Sequence, residues 1–340
     1  MTKIKTNTKI ENLPPIGSFK PKNPFFMAPL AGVTDAPTRL IYSEMGAGIV
    51  YSEMVSAKGI HYGDKKSAEL LDILYPADNE HSNLSGVAYQ IFGSDPEIMA
   101  EAAENLDAKE NDLIDVNMGC PVPKVFKNGD GSALLKNPEL CEKIISSMKS
   151  KTEKPVTAKI RIGIDNSNIN CIEVAKALEE GGADAICVHG RTREAYYSGS
   201  VDYRRIAEVK EAVSIPVIGN GDILTVEDAL YKIEKYNVDG IAIGRGAIEN
   251  PLIFSQIKKA LKGEKYEELN FNQRIDILLR HLYLEVNYKG QRQAILNMRK
   301  TYAYYLKNLK NSKEIRNKLN VENDYTNVVK ILEEYREQMR

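Results

Sequence analysis

"IPVIGNGDILTVEDALYKIEKYNVDGIAIGRGA" (residues 215–247) decides the fold. Two short apolar runs, "IPVIGNG" (215–221) and "GIAIGRG" (240–246), flank one helical stretch. The runs are continuous rather than alternating, as expected of strands covered on both faces. Between them, Thr225 with Asp228 three residues on resembles a capping box and predicts a helix over 226–236. Strand, helix, strand with the same exit chemistry at both ends is the repeating unit of a parallel sheet.

The unit recurs outward from this stretch. Six further runs precede it: "FFMAPL" (25–30), "GIVYSEMV" (48–55), "GVAYQIFG" (86–93), "LIDVNMG" (113–119), "VTAKIRIG" (156–163) and "DAICVHG" (184–190). Asp95-Pro96 opens a helix over 97–106 and Asn137-Pro138 another over 139–150, each with proline at the first position. Eight strand–helix repeats predict a (β/α)8 TIM barrel over residues 1–262. A doubly wound sheet is the rival, but it more often stops at five or six strands. After the polar connector "GEKYEELN" (263–270) no strand-like run remains. Segments 271–289, 291–310, about 313–319 and 327–339 read as amphipathic helices, so residues 271–340 are expected to form a small all-α domain.

The chain has 340 residues, 43% apolar and 27% charged, with no Trp, a composition of the soluble globular class. It lacks an apolar run long enough to span a bilayer, and its N-terminus lacks an apolar signal core. Cys120, Cys141, Cys171 and Cys187 form neither a CxxC pair nor a Cys/His ligand spacing. A reduced, cytoplasmic protein without a metal is expected. The net charge of −1 conceals an asymmetry. Residues 271–340 carry 14 Lys/Arg against 8 Asp/Glu, a net of +6, which leaves about −7 for the rest. Within 291–318 eight basic residues face one acid, with Tyr302, Tyr304 and Tyr305 interleaved, a pattern that favours RNA contact over a merely solvated face.

Each apolar run ends in polar residues or glycine, and in a barrel these ends share one mouth. "GNGD" and "GRGA" follow the last two strands and suit a phosphate, with Arg245 adding charge-assisted bonds. Gln90 and Asn117 suit the edge of a heterocyclic ring. Lys159 sits inside "TAKIRI", where a buried ammonium needs an anionic or electron-rich partner, or serves as a Schiff base. Cys120 lies just past its apolar run among Pro121, Pro123 and glycines, which fits a presented thiol and a structural one about equally. His189 divides the same way, while Cys141, Cys171 and Cys187 read as core thiols.

"MAPLAGVTDAPTR", "DVNMGCPVPKV", "GSALLKNP", "AKIRIG", "VHGRTRE", "IGNGDI" and "IGRGAIENP" together resemble the tRNA-dihydrouridine synthases, most of all the bacterial DusB-type branch. The resemblance spans the chain, including "MRKTYAYYLK". PLAG stands where the family usually has PMAG, and Ala195 where it often has Gln. The resemblance implies FMN in the barrel mouth, NADPH as reductant and a uridine of tRNA as substrate. It implies that Ala28, Pro29, Leu30 and Ala31 line the flavin, that Gln90 and Lys159 bond its ring edge, and that His189 lies near the ring or ribityl-phosphate end. Asn220, Gly221, Asp222, Gly244 and Arg245 would hold the phosphate end. Asn117, Arg161 and Arg191 would face the substrate, Arg299 and Lys300 would hold tRNA, and Cys120 would be the catalytic acid. Three other readings compete. A flavin barrel acting on a free pyrimidine, of the dihydroorotate or dihydropyrimidine dehydrogenase kind, would not need the basic tail. A non-redox barrel would use Lys159 as a Schiff base, and a tRNA-binding scaffold would need no chemistry at all.

Overall fold

The computed structural model describes residues 13–75 and 84–339. Nine parallel strands form its sheet: β1 (Phe25–Met27), β2 (Ile49–Tyr51), β3 (Val55–Ser56), β4 (Gly86–Phe92), β5 (Leu113–Met118), β6 (Val156–Arg161), β7 (Ala185–His189), β8 (Val217–Asn220) and β9 (Gly240–Ile243). All eight predicted runs are present; β3 is a two-residue continuation of the second run, paired to the end of β4. The remaining eight close on themselves, because β1 pairs with β9 (Phe26 opposite Ala242) and β2 with β4 (Val50 opposite Val87). The closed sheet with its outer helices is a (β/α)8 barrel.

Alternation along the strands sorts the side chains. Phe26, Ile49, Tyr51, Ala88, Leu113, Ala185, Cys187, Ile218 and Ala242 meet inside the barrel, with Leu13, Ile16 and Phe19 of the N-terminal segment packed on the same cluster. Their immediate neighbours (Phe25, Val50, Ile114, Val116, Ala158, Ile160, Val188) belong to the larger core between strands and helices. Both faces of each strand are therefore covered, which is why the runs are continuous.

The helices begin where their caps predict. Asp95 and Asn137 cap Pro96–Asp107 and Pro138–Lys149. In Val226–Tyr236 the Thr225 hydroxyl accepts from the Asp228 N–H at 3.1 Å, and the Asp228 carboxylate accepts from the Thr225 N–H at 3.2 Å.

Four helices follow the barrel: Phe271–Lys289, Gln291–Tyr305, Ser312–Val321 and Tyr325–Gln338. The second ends at Tyr305 rather than continuing to 310. Asn308 and Asn311 beyond it take left-handed backbone angles (φ 60° and 58°), which stop a right-handed helix. These helices bury their own apolar core around Leu278, Leu282, Met298, Leu319 and Leu332. That core also corrects the expectation for the tyrosines. Tyr302 and Tyr305 are buried within it, and only Tyr304 is exposed. At i and i+3 they share one face of the helix, and that face is the apolar one.

The helical unit is pinned to the loop after β1 and to the helix Ala36–Glu44 that follows it. His281 Nε2 and Thr38 Oγ1 lie 3.2 Å apart, and Arg280 pairs with Glu44 at 2.7 Å. Asp35, His281 and Glu285 stand close enough to share an ion, and Lys289 supplies a positive charge there, bonded to Asp35 and 3.1 Å from Glu285.

Tyr302→Ala should cost about 3–5 kcal/mol, the usual loss for a large buried aromatic, whereas Tyr304→Ala should stay within about 1 kcal/mol. Urea unfolding of the two variants checks this.

Candidate active site

The inward positions at the carboxyl ends of the strands are polar, and they converge. Asn117 is in register with Lys159, Arg161 with His189, and His189 with Asn220. Together with Gln90 they line a cavity of about 230 Å³ at the mouth. The turn Ala28–Ala31 forms one wall, and Cys120 stands on the rim of β5. Gly221, Asp222, Gly244 and Arg245, from the two glycine-rich loops, line the same cavity.

Its floor is cationic. Lys159 Nζ donates to Asn220 Oδ1 at 3.0 Å, and Asn220 Nδ2 donates to the Ala242 carbonyl at 2.7 Å. Burial pushes the Lys159 pKa down, against the pull of Cys187 and Asp115. Among the described residues the ammonium has that single protein acceptor for its three donors. His189 is held well below its ordinary value by burial first, then by Lys159, Arg161, Arg191 and Arg245, so it is neutral at pH 7. Arg161 donates to the carbonyls of Gly119 (2.9 Å), Thr192 (2.8 Å) and Tyr196 (2.8 Å). Burial lowers it to about 10, which leaves it charged.

The glycine-rich loops need their glycines. Gly221 has φ 123°, and a Cβ there would lie 2.6 Å from Val201. A Cβ on Gly246 would lie 2.1 Å from the Ile223 carbonyl, so only glycine lets the two loops pack together. Asp222 joins them through Arg191 (2.7 Å) and Arg245 (3.2 Å). Arg245, paired with Asp222, remains partly exposed at the rim. Arg191 does not line the cavity. Its buried guanidinium is held by Asp222 and by the carbonyls of Ser198 (3.0 Å) and Gly199 (2.7 Å).

Cys120 is tied at both ends of its peptide. Its N–H donates to Asn117 Oδ1 at 2.8 Å, and its carbonyl accepts from the Ser132 hydroxyl at 2.7 Å. Burial raises the thiol pKa, opposed by the N–H of Val122 and the charge of Arg161. The thiol is therefore protonated at pH 7. The other three cysteines are buried in the core, with Cys187 inside the barrel beside Lys159 and pushed up to about 12.

Arg299 and Lys300 stand apart from the cavity on the helix Gln291–Tyr305. Lys300 Nζ donates to the Gly32 carbonyl of the β1 loop, and Arg299 to Asn323 Oδ1 at 3.0 Å. Sequence reasoning missed Met54, Tyr196 and Tyr197, which also line the mouth. The Tyr197 ring lies between Arg161 (5.9 Å) and Arg245 (5.1 Å). Two aromatics in the polar stretch "AYYSGS" were the available signal. Asp115 and Thr157, beneath Gln90, were hidden inside apolar runs.

A closed parallel barrel whose mouth is lined by donors, cations and glycine-rich loops defines a (β/α)8-barrel protein. The chain belongs to the dihydrouridine synthase family, whose sequence model matches residues 26–339. It is 37% identical to tRNA-dihydrouridine synthase B of Pasteurella multocida (strain Pm70), over 91% of each chain. It is 40% identical to tRNA-dihydrouridine synthase B of Vibrio cholerae, over 86% of this chain and 88% of that one. Among solved structures, histamine dehydrogenase from Rhizobium sp. 4-9 shares the barrel fold, with a TM-score of 0.58 and 14% identity over 83% of this chain and 51% of that one.

The raised thiol pKa has a measurable sign. At pH 7.5 less Cys120 is thiolate than in a free cysteine, so iodoacetamide should alkylate it more slowly than glutathione. The rate should still be climbing above about pH 9. Peptide mass spectrometry across pH 7–10 reads this directly; a plateau below about pH 8 would contradict the assignment.

Proposed function

We propose that this protein reduces the C5–C6 bond of uridine in tRNA to dihydrouridine, with FMN in the barrel mouth and NADPH as reductant. Residues 1–262 form the catalytic unit and 271–340 the tRNA-docking unit. The observation that carries the reading is the cavity itself: a protonated thiol and a cationic floor open on one space beside two glycine-rich loops. Family membership supports the substrate.

The residues fit a flavin mononucleotide. Lys159 has donors left for an electron-rich ring edge, and Gln90 adds an amide. Gly221, Asp222, Gly244 and Arg245 supply backbone and a guanidinium for the phosphate end, and Ala28–Ala31 supplies an apolar wall. Neutral His189 offers the ribityl chain a hydrogen bond without adding charge. When bound and reduced by NADPH, FMN supplies the hydride for C6 of the uracil.

The protein's own side chains handle the proton. As hydride reaches C6, the C5–C6 π pair moves onto C5 and O4. Cys120 gives its Sγ proton to C5, and the thiolate left behind recovers a proton from solvent. Arg161, charged and close to the thiol, favours that thiolate as it forms. Lys159 would hold the ring edge of the bound group and would stabilise negative charge there. Asn117 and Arg161 lie on the Cys120 side of the cavity, where we place the base. Arg191 acts from behind it by holding Asp222. The base must leave its stack to enter a cavity of this depth.

Docking falls to the helical unit, which carries the excess basic charge. Among the described residues no helix is long and apolar enough to cross a membrane. With four free cysteines, the cytoplasm is the compartment we assign.

Cys120→Ala should retain flavin and be reduced by NADPH, yet form dihydrouridine about 100-fold more slowly or worse. Nucleoside mass spectrometry of the treated tRNA decides, and normal turnover would overturn the proton-donor role. Reversing charge at Arg299 and Lys300 should weaken tRNA binding, flatten its salt dependence and leave flavin content unchanged. Unchanged affinity at moderate salt would place docking elsewhere.

A further inference from the structure

Beneath the cavity a line of buried polar side chains runs from β6 to the Cys120 turn. The Thr157 hydroxyl donates to Asp115 Oδ1 at 2.6 Å. Gln90 Nε2 donates to Asp115 Oδ2 at 2.7 Å. Asn117 Nδ2 donates to Gln90 Oε1 at 2.8 Å. Asn117 Oδ1 then accepts from the N–H of Gly119 at 3.2 Å and of Cys120 at 2.8 Å. Asp115 is fully buried and Gln90 is 1% exposed, so water does not compete for the bonds at that end of the line, whereas Asn117 is half-buried at the cavity wall.

Every link has a direction, and both ends constrain it: the Asp115 carboxylate only accepts, and the N–H groups of Gly119 and Cys120 only donate. An ionised carboxylate only accepts, whereas each primary amide can present either its oxygen or its nitrogen. With Asp115 accepting, Gln90 must turn its NH2 inward, and its oxygen then faces Asn117. Asn117 must in turn present its NH2 to Gln90, which leaves its oxygen over the Cys120 N–H. Reversal at Asp115 would reverse both amides and set an NH2 against an N–H at the Cys120 turn. A buried donor without an acceptor costs about 1–3 kcal/mol, enough to open the turn.

We propose that Asp115 is a positioning residue: it fixes the orientation of the Gln90 and Asn117 amides and, through them, holds the peptide that carries the Cys120 thiol. The proposal deepens the reading of Cys120 as proton donor and rests on it for its catalytic meaning. Its structural content stands without tRNA or NADPH. Burial holds the Asp115 carboxyl up to about 6, against the hydrogen bonds of Gln90 and Thr157 and the charge of Lys159. Tyr51 and Cys187 are the other titratable groups facing it, and both stay neutral there because burial raises them. The line is thus in its working direction above about pH 6 and loses its anchor below that value.

The test uses the intact flavoprotein and three readouts. In Asp115→Leu, which removes the acceptor, Cys120 alkylation by iodoacetamide should rise at least about tenfold as the turn loosens. The loss of dihydrouridine formation should fall on kcat rather than on KM for tRNA. In the double variant Asp115→Leu/Gln90→Glu the carboxylate moves one link along, and position 90 again accepts from Asn117 Nδ2. Alkylation should return to within about twofold of the native rate. A purely structural role for Asp115 predicts no such rescue. The native protein labelled with [15N]cysteine gives a measurement that needs no folded variant. The Cys120 amide signal, assigned by its loss in Cys120→Ala, should shift with a midpoint between about pH 5 and 7. Alkylation unchanged in a folded Asp115→Leu, no rescue in the double variant, or an amide signal without that midpoint would each overturn the proposal. If the alkylation and amide results appear but no tRNA is reduced, the positioning stands and the functional reading fails.

Discussion

A barrel strand can send a side chain only two ways, inward or outward, and the choice alternates residue by residue. Everything functional here depends on that parity. Phe26, Ala88, Leu113, Ala185, Cys187, Ile218 and Ala242 face the interior. Gln90 lies two residues beyond Ala88, Asn117 four beyond Leu113, His189 four beyond Ala185 and Asn220 two beyond Ile218, all on the same parity. Lys159 joins them through its register with Asn117 and Cys187. The chain therefore fills the barrel with apolar groups below and lines its mouth with donors and cations above. A shift of one residue in any strand would send those groups into the helix layer.

Burial then sets the protonation states that chemistry requires. The same low-dielectric mouth lowers Lys159 and His189 and raises Cys120. Neighbouring cations add to burial at Lys159 and His189 and oppose it at Cys120. His189 is surrounded by like charge, so both effects push it toward neutrality. At Cys120 the charge of Arg161 opposes burial and loses, which keeps the proton on sulfur. The result is a cavity that is positive overall yet contains a neutral acid.

The loop after β1 belongs to both parts of the molecule. Ala28–Ala31 lines the cavity, Gly32 accepts from Lys300, and Asp35 bonds Lys289. The helical unit is thus anchored within a few residues of the cavity wall. Lys300 is thereby held beside the loop that walls the cavity.

The sequence by itself determined the barrel, the helical extension and most of the cavity, because these rest on local signals. Continuous apolar runs, proline and asparagine caps, and glycine-rich exits are written within a few residues of one another. It did not determine which face of a helix would be covered. Tyr302 and Tyr305 look like Tyr304 in sequence, and only the packing of four helices buries two of them. Nor could it tell that Arg191 would close on Asp222 behind the cavity, or that Asp115 would stand at the head of a line of hydrogen bonds. Those partners lie 31 and 25 residues apart in the chain. Only the pairing of neighbouring strands brings them within bonding distance, because Gln90 and Asp115 stand opposite one another on β4 and β5, and Arg191 and Asp222 follow the paired ends of β7 and β8.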